Sequence, residues 1–341
     1  MRIAVVGTSN AIMGKGWASH LKAISPPGWL VENLSLGASP SLYGSYIVSA
    51  RGVAENFDIA ILDFTTNDQQ FLDIHNLTPE YVAGSYAGLL RHFVDSRCVP
   101  LALLMPQKGY VENGHKDDAY RLCRAICERV GVSYIDFFSI MRQIADTGVS
   151  ADELYSDWAH LQPKYQALVA EELIRHITSG SCSTPDASLL TLAPSVMAVP
   201  TSDVEFYQAE ERSFATSRIN HNVSTIRSGG GGSIRNTSYL LAVLHWIADE
   251  SGPVSFEGDR RVTKAFRKVW ARRFGFTHFR EPLPATGSIR FKFGEHPGYL
   301  FESGFGHVAD RPIAGDQADI VGFLKADSDP CAAGRALLKG A

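Results

Sequence analysis

Four short segments of the sequence contain the residue types that acyl transfer requires. Ser9 follows the first predicted strand and could act as a nucleophile. Gly37 and Asn67 follow the second and third predicted strands, where a backbone N–H and a side-chain amide could stabilise an oxyanion. His160 could take the proton of a serine hydroxyl, because histidine titrates near neutrality, and Asp157 lies close enough along the chain to orient its ring.

Each of these segments also has a purely structural interpretation. Ser9 or the neighbouring Thr8 could cap the next helix, and Gly37 could be a turn glycine. Asn67 could form a turn, and an Asp-x-x-His segment is often a surface cap. The catalytic interpretation is favoured because serine, glycine, asparagine and histidine occur in this order after successive strands.

Strand and helix patterns alternate through the first 180 residues. Apolar runs typical of parallel strands covered on both faces occur at residues 2–6, 31–36, 58–63, 99–105 and 132–137. Helical patterns occur at residues 81–95, 117–130 and 162–177. This alternation predicts a doubly wound parallel sheet, in which ligands bind beyond the carboxyl ends of the strands.

The ordered set of Ser9, Gly37, Asn67 and His160 resembles the four blocks of the SGNH (GDSL-type) serine hydrolase superfamily. The resemblance implies an α/β fold, namely a three-layer α/β/α, flavodoxin-like domain with a five-stranded parallel sheet. It also implies that Ser9 is the nucleophile, that His160 is the general base and that Asp157 orients His160. The backbone N–H groups of Ser9 and Gly37 and the side chain of Asn67 would form the oxyanion hole.

The resemblance covers about residues 1–180 and is incomplete at two positions. Thr8 stands where the family has Asp before the nucleophile, and Thr65 stands where the family has Gly in its asparagine block. The missing Asp usually supports the loop, so its replacement affects local geometry more than it removes a reacting group.

The resemblance implies a serine esterase that works through an acyl-Ser9 intermediate. It suggests a short acyl group such as acetyl, carried by a carbohydrate, because accessory β domains often accompany esterases of acylated sugars in this superfamily. With another hydroxyl in place of water, the same site would be an O-acyltransferase. Two different functions are also consistent with the sequence, namely a short-chain lipid esterase or thioesterase and a non-catalytic glycan-binding protein on a hydrolase scaffold.

Four aromatic residues near the predicted strand ends bear on the substrate. Trp17, Tyr43, Tyr46 and Trp158 could stack on a sugar ring, or could pack in the core or at its rim.

The composition excludes several other classes of protein. The chain has 341 residues, 45% of them hydrophobic and 20% charged, with a net charge of −4, which are the values of a globular protein. This charge balance predicts no nucleic-acid partner, and no apolar run approaches the ~18 residues that span a bilayer, so no membrane insertion is predicted. The five cysteines without a secretory signal favour a cytoplasmic location, with Cys123 and Cys127 as buried thiols.

The predicted chemistry involves few partners. No cofactor and no metal are predicted, because serine acyl transfer needs none and His75, His92 and His115 lack the spacing of metal ligands. The predicted partner is the substrate, a small-molecule or glycan ester. The sequence does not predict the oligomeric state.

The composition changes after the first 180 residues. Residues 181–200 are rich in Ser, Thr, Pro and Ala, which predicts a linker between a catalytic domain at 1–180 and a β-rich accessory domain at 201–330. Short strand patterns occur in this accessory domain, for example at 239–247 and 288–293.

Three further segments of the second half have simple interpretations. The four glycines at 229–232 predict a flexible loop or hairpin tip rather than a phosphate-binding loop, since no Gly-Lys-Ser/Thr follows them. The basic stretch at 260–273 favours a solvated face over a docking site for an acidic partner. The residues after Asp327 predict a loosely ordered tail.

Overall fold

The structure is a computed structural model that describes residues 1–113, 117–215, 220–247, 251–266, 274–303 and 315–339. The chain forms two compact units, one of residues Met1–Ala193 with Cys331–Ala341 and the other of residues Pro194–Pro330. They are called the α/β unit and the β unit below. The predicted division into 1–180, 181–200 and 201–330 stays a prediction.

The α/β unit is built on a five-stranded sheet with the order β2-β1-β3-β4-β5. All neighbouring strands are parallel, as the alternating pattern predicts. The strands are β1 (Arg2–Gly7), β2 (Leu30–Asn33), β3 (Ile59–Asp63), β4 (Val99–Leu104) and β5 (Tyr134–Asp136). The predicted α/β fold with a five-stranded parallel sheet, followed by a β-rich part, is confirmed.

Helices connect these strands and cover the sheet. They are α1 (Ser9–Ile12), α2 (Trp17–Ile24), α3 (Ser41–Arg51), α4 (Val53–Asn56), α5 (Thr65–Asp73), α6 (Pro79–Arg91), α7 (Lys108–Asn113), α8 (Asp118–Val130), α9 (Phe137–Asp146), α10 (Ala151–Leu154) and α11 (Pro163–Thr178). Asp117 caps α8 by accepting a hydrogen bond from the Tyr120 N–H, and Gly131 ends that helix with a φ of 72°. Among the described residues, no helix is long and apolar enough to cross a membrane.

The core of the α/β unit lies between its sheet and the helices. On one face, Ile3 and Val5 of β1 pack in a cluster with residues of α2 and α11, among them Trp17 and Val169. On the other side α3, α6 and α8 pack together. Cys123 and Cys127 are buried thiols, as predicted.

The described part of the β unit contains a mixed eight-stranded sheet. Seven of its strands follow the order β12-β10-β9-β11-β8-β13-β6, and the eighth, β7, pairs with β8. The strands are β6 (Val196–Pro200), β7 (Glu205–Ala215), β8 (Asn220–Trp246), β9 (Pro253–Glu257), β10 (Arg261–Ala265), β11 (Phe274–Phe293), β12 (Leu300–Ser303) and β13 (Gln317–Ala326). Its core holds packed phenylalanine rings, including Phe256, Phe291 and Phe323. Turns of 3₁₀ type occur at Ala187–Leu190 in the α/β unit and at Thr201–Asp203 in the β unit.

The prediction of a flexible loop or hairpin tip at residues 229–232 is wrong, because these glycines lie inside β8. Gly231 pairs with Tyr207 of β7 on one side and with Lys292 of β11 on the other. A Cβ at Gly231 would lie 2.3 Å from the Phe291 carbonyl oxygen, so the glycines allow a close approach of neighbouring groups rather than a flexible turn.

Two other expectations concern the end of the chain and the basic stretch. The prediction of a loosely ordered tail after Asp327 is wrong, since Pro330–Leu338 forms the helix α12. Its residue Gly334 lies so close to the Glu80 carbonyl group that a Cβ would not fit, and the Arg129 guanidinium donates to the Leu337 carbonyl oxygen at 2.7 Å. Residues 267–273 of the basic stretch lie outside the described residues. In the described part of the stretch, the predicted solvated face is wrong for Lys264, which is fully buried in an ion pair with Glu302.

Candidate active site

Ser9, His160 and Asp157 form a continuous chain of hydrogen bonds. The Ser9 Oγ atom lies 2.7 Å from His160 Nε2, although the two residues are 151 positions apart. On the other side of the ring, His160 Nδ1 lies 2.7 Å from Asp157 Oδ2 and 2.9 Å from Asp157 Oδ1. The structure therefore brings together a hydroxyl, an imidazole and a carboxylate in the order that a serine nucleophile requires.

The Asp157 carboxylate also shapes the loop that presents His160. Its Oδ1 atom accepts hydrogen bonds from the backbone N–H groups of Ala159 at 2.8 Å and His160 at 2.9 Å. Partial burial raises the pKa of Asp157, but these N–H groups and the His160 ring outweigh it, so the net pKa lies below the ordinary value. The loop is closed at its base by a bridge between Tyr155 and Leu161. Asp157 is therefore held ionised beside the imidazole.

A buried amide network connects the segment that contains Ser9 to the loop that contains His160. Asn10, the residue after Ser9, donates through Nδ2 to the Ala159 carbonyl oxygen at 3.0 Å. Gln166 of α11 donates to Asn10 Oδ1 at 2.9 Å and accepts from the Trp17 N–H at 3.0 Å. Sequence reasoning missed Asn10 and Gln166, and the signal available was only their position beside the serine and histidine blocks.

A buried carboxylate, Asp63, lies at the end of β3 against the turn at Gly7 that precedes Ser9. It accepts a hydrogen bond from the Trp17 indole N–H at 3.1 Å and a longer one from the Thr8 hydroxyl at 3.5 Å. Thr8 precedes α1 but makes no side-chain capping bond, so its side chain serves this contact instead. Burial raises the pKa of Asp63 from 3.8 to about 7, against the opposing effect of these two hydrogen bonds.

A backbone hydrogen bond connects the loop that contains Gly37 to the turn that precedes Ser9. The Leu36 N–H donates to the Gly7 carbonyl oxygen at 3.1 Å, and Gly37 itself is buried. Ala38 follows with a φ of 55°, a left-handed conformation that is costly for a residue with a Cβ. The strained backbone therefore lies next to the predicted oxyanion donor.

Asn67 lies in the first turn of α5 and is almost fully buried. Its Nδ2 atom donates to the Ser39 carbonyl oxygen at 3.0 Å, which connects the third loop to the second. A primary amide has two N–H donors, so this bond leaves the second one for another acceptor. The neighbouring Asp68 accepts from the Ser41 N–H at 2.8 Å at the start of α3, and burial raises its pKa to about 7.

The four aromatic residues near the predicted strand ends divide into two groups. Trp17, Tyr43 and Tyr46 are core residues with exposures of 0%, 0% and 4%. Trp158 is 48% exposed and lies between Asp157 and His160 in the loop. Of the four, Trp158 alone offers an exposed aromatic surface next to Asp157 and His160.

The described residues contain no group of three His, Cys, Asp or Glu side chains placed to hold a metal ion. His115, one of the histidines considered above, lies outside the described residues.

Comparison with known proteins gives a likeness of fold. No family model matches the chain, and no curated protein sequence matches it. A solved two-domain esterase (CEX) active on acetylated mannans is similar with a TM-score of 0.68 at 14% identity, over 96% of this chain and 91% of that chain. The same type of esterase co-crystallised with mannopentaose gives a TM-score of 0.67 at 14% identity, over 96% of this chain and 90% of that one. The acetyl xylan esterase AlAXEase covers 52% of this chain and 100% of its own length, with a TM-score of 0.45 at 14% identity.

Proposed function

We propose that this chain is a serine esterase of the SGNH type that removes a short acyl group, acetyl in the first instance, from a carbohydrate ester. The observation on which the proposal depends is the hydrogen-bonded chain from Ser9 through His160 to Asp157, with distances of 2.7 Å on both sides of the ring. A surface contact between a serine and a histidine would not need a carboxylate on the far ring nitrogen.

In the first step, the Ser9 Oγ atom attacks the ester carbonyl carbon while His160 Nε2 takes the hydroxyl proton. Asp157 accepts from Nδ1–H, which keeps Nε2 available as the base and stabilises the imidazolium that forms. When the tetrahedral intermediate collapses, the C–O bond to the alcohol breaks and His160 gives its proton to the leaving oxygen. The products of this step are the free sugar hydroxyl and an acyl-Ser9 ester.

In the second step, water takes the place of the alcohol. His160 removes a proton from water, the resulting hydroxide attacks the acyl carbon, and the acid leaves as Ser9 recovers its proton.

The oxyanion of both intermediates would accept from the Ser9 and Gly37 N–H groups and from the Asn67 amide. Ser9 is the first residue of α1, so its N–H has no partner within the helix. Asn67 Nδ2 keeps one N–H beyond its bond to Ser39. Donors fixed in this way cost little reorganisation when charge develops on the carbonyl oxygen.

Two observations support a carbohydrate ester as the substrate. Trp158 presents an exposed indole on the loop of the general base, where its apolar face can pack against the C–H face of a sugar ring. The chain also shares its two-unit fold with an esterase active on acetylated mannans over 96% of its length.

The test is the release of p-nitrophenol from p-nitrophenyl acetate by wild type, Ser9→Ala and His160→Ala. We expect both substitutions to lower kcat by about 10⁴-fold or more. Ser19→Ala, at an exposed serine of α2, is the matched control and should retain wild-type activity. Equal activity of wild type and Ser9→Ala would overturn the proposal.

The acyl group and the acceptor are tested separately. A preference for p-nitrophenyl acetate over p-nitrophenyl octanoate supports a short acyl group, and the opposite preference supports a lipid ester as the substrate. Trp158→Ala should raise KM for acetylated mannan about ten-fold, the order of one aromatic contact, while KM for p-nitrophenyl acetate changes little.

A further inference from the structure

The β unit has a cavity of about 240 Å³. Six of the residues that line it have ionisable or aromatic side chains that could contact a ligand: Tyr207, Glu257, Arg290, Lys292, His296 and Tyr299. The volume is somewhat below the ~300–1,000 Å³ of typical small-molecule pockets, which suits a ligand of one or two rings.

Strand register explains why polar and aromatic side chains meet on this face. Tyr207 pairs with Gly231 on β8, which pairs with Lys292 on β11, which in turn pairs with Ser255 on β9. Two residues before Lys292 on β11, Arg290 pairs with Glu257 of β9. Residues two apart on a strand lie on the same face of the sheet, so Arg290 and Glu257 share a face with Lys292 and Ser255. The residues between them, Phe291 and Phe256, belong to the core of the unit, and Phe291 also borders the cavity. The cavity is therefore built on the outer face of the sheet.

The glycine segment of β8 gives Tyr207 its position. A Cβ at Gly231 would lie 2.5 Å from the Tyr207 Oη atom and 2.8 Å from its Cζ atom, so the ring lies directly over the glycine. Any larger residue would displace the ring, and Tyr207 is nevertheless 49% exposed. Gly231 thus leaves room for an aromatic ring that is half exposed to solvent.

A second aromatic surface lies among the other lining residues. The rings of Tyr299 and His296 have their centroids 4.5 Å apart, and the Arg261 guanidinium lies 5.6 Å from the Tyr299 ring centroid. Glu257 forms ion pairs with Arg261 at 2.9 Å and with Arg290 at 3.2 Å. These pairs fix a carboxylate and a guanidinium side by side in the cavity lining.

We propose that this cavity binds a pyranose unit of a glycan chain, as a second carbohydrate site distinct from the residues around Ser9. The faces of Tyr207 and Tyr299 would pack against sugar C–H groups, as aromatic rings pack against other apolar surfaces. Glu257 would accept hydrogen bonds from hydroxyl groups, and Arg290 and Lys292 would donate to hydroxyl oxygens. Sugar hydroxyl groups both donate and accept hydrogen bonds, and this lining offers them a carboxylate acceptor as well as cationic donors. The choice of a glycan among polyhydroxylated ligands rests on the proposed function.

The test is affinity electrophoresis of the full chain through gels that contain deacetylated mannan, xylan or hydroxyethyl cellulose. None of these polymers carries an acyl group that the Ser9 site could remove. We expect one of them to retard the wild type, and Tyr207→Ala and Tyr299→Ala each to lower the association constant about ten-fold. Tyr207→Phe should bind as wild type because it keeps the ring. Tyr239→Ala, at a half-buried tyrosine of β8 that does not line the cavity, is the matched control.

Three results would overturn the proposal. They are no retardation of wild type by any of the polymers, unchanged retardation of both alanine variants, and retardation by heparin alone, which would indicate an anion site. Circular dichroism of each variant separates lost binding from lost folding. The p-nitrophenyl acetate assay needs no glycan, so a failure of the Ser9 proposal would be seen there and not in these gels.

Discussion

The two units differ in one kind of buried charge, an oppositely charged pair that the β unit contains and that Asp63 and Asp68 of the α/β unit do not form. A buried carboxylate with neutral partners occurs in both units, since Asp319 of the β unit accepts from Thr225 and Gln317. The α/β unit surrounds Asp63 with neutral partners, the Trp17 indole and the Thr8 hydroxyl, and its Asp68 accepts from a backbone N–H. In the β unit the fully buried Lys264 contacts the Glu302 carboxylate at 3.0 Å and donates to the His278 carbonyl oxygen at 2.7 Å.

This difference indicates what each buried group does. A buried carboxylate with neutral partners can become protonated at little cost. Asp63 and Asp68 therefore stabilise the loops at the carboxyl ends of the strands through hydrogen bonds. A buried lysine and glutamate stabilise each other only as a pair, because either one alone would leave an uncompensated charge in the interior. Asp63 and Asp68 therefore support loops near Ser9 and Asn67, whereas the buried pair of the β unit joins the neighbouring strands β10 and β12.

The largest expected effect concerns Asp157, the exposed carboxylate of the site in contrast to the buried ones. Asp157→Asn should lower kcat for p-nitrophenyl acetate by about 10⁴-fold, because the imidazolium loses its charged partner and the ring tautomer is no longer fixed. The measurement is steady-state kinetics. Asp152→Asn, at a solvent-exposed carboxylate of α10, is the matched control. A loss of less than ten-fold would mean that Asp157 shapes the loop without a part in the chemistry.

The next effect concerns Asn67. Asn67→Ala should lower kcat by about 10²–10³-fold with little change in KM, since an oxyanion donor acts chiefly in the transition state. The substitution also removes the bond to Ser39, so thermal unfolding must be followed beside the kinetics. A rise in KM at constant kcat would contradict the role in the oxyanion hole.

Breaking the buried pair of the β unit should cost stability rather than catalysis. Glu302→Gln leaves the Lys264 charge without its partner and should lower the free energy of unfolding by about 3–5 kcal/mol. The double variant Lys264→Met/Glu302→Gln should recover most of that loss, because no buried charge remains. Calorimetry of the three proteins measures both effects. A double variant as unstable as the single one would show that shape, not charge, decides the stability here.

The buried carboxylate Asp63 of the α/β unit should make the free energy of unfolding depend on pH. The pKa of Asp63 is about 7 when folded against 3.8 ordinarily, so the folded state binds the extra proton between these values. Its stabilising effect is fully present below about pH 4 and is lost as pH rises through about 7. Asp63→Asn keeps the hydrogen bonds without the charge, so its stability relative to wild type should rise by roughly 1.4 kcal/mol per pH unit over this window.

Urea unfolding followed at 222 nm at several pH values measures this difference. A difference between Asp63→Asn and wild type that does not change with pH would show that Asp63 stays ionised in the folded protein.

The α/β unit could be predicted from the sequence because its signals are local. Its strands are short apolar runs, and helices such as α8 begin at a capping Asp117 and end at Gly131. The order of Ser9, Asn67 and His160 after successive strands also predicted which side chains would lie near one another, and the Ser9–His160 contact agrees with that order.

The remaining features depend on contacts between distant segments. Asn10 gains its role only from Ala159, 149 residues later, and Lys264 is buried only because Glu302 lies 38 residues beyond it. In the β unit, glycines and prolines that favour turns occur inside the long strands β8 and β11, where register shifts absorb them. For this reason the segment at 229–232 could not be recognised as a strand from its composition.

The most direct test of the central claim is mass spectrometry of the intact chain and of its proteolytic peptides after treatment with an alkyl fluorophosphonate, which reacts with an activated serine hydroxyl by loss of fluoride. The account predicts a single adduct on the peptide that contains Ser9, no adduct in Ser9→Ala, and much slower labelling of His160→Ala because the base is missing. An unlabelled wild-type chain, or an adduct on a different serine, would contradict it.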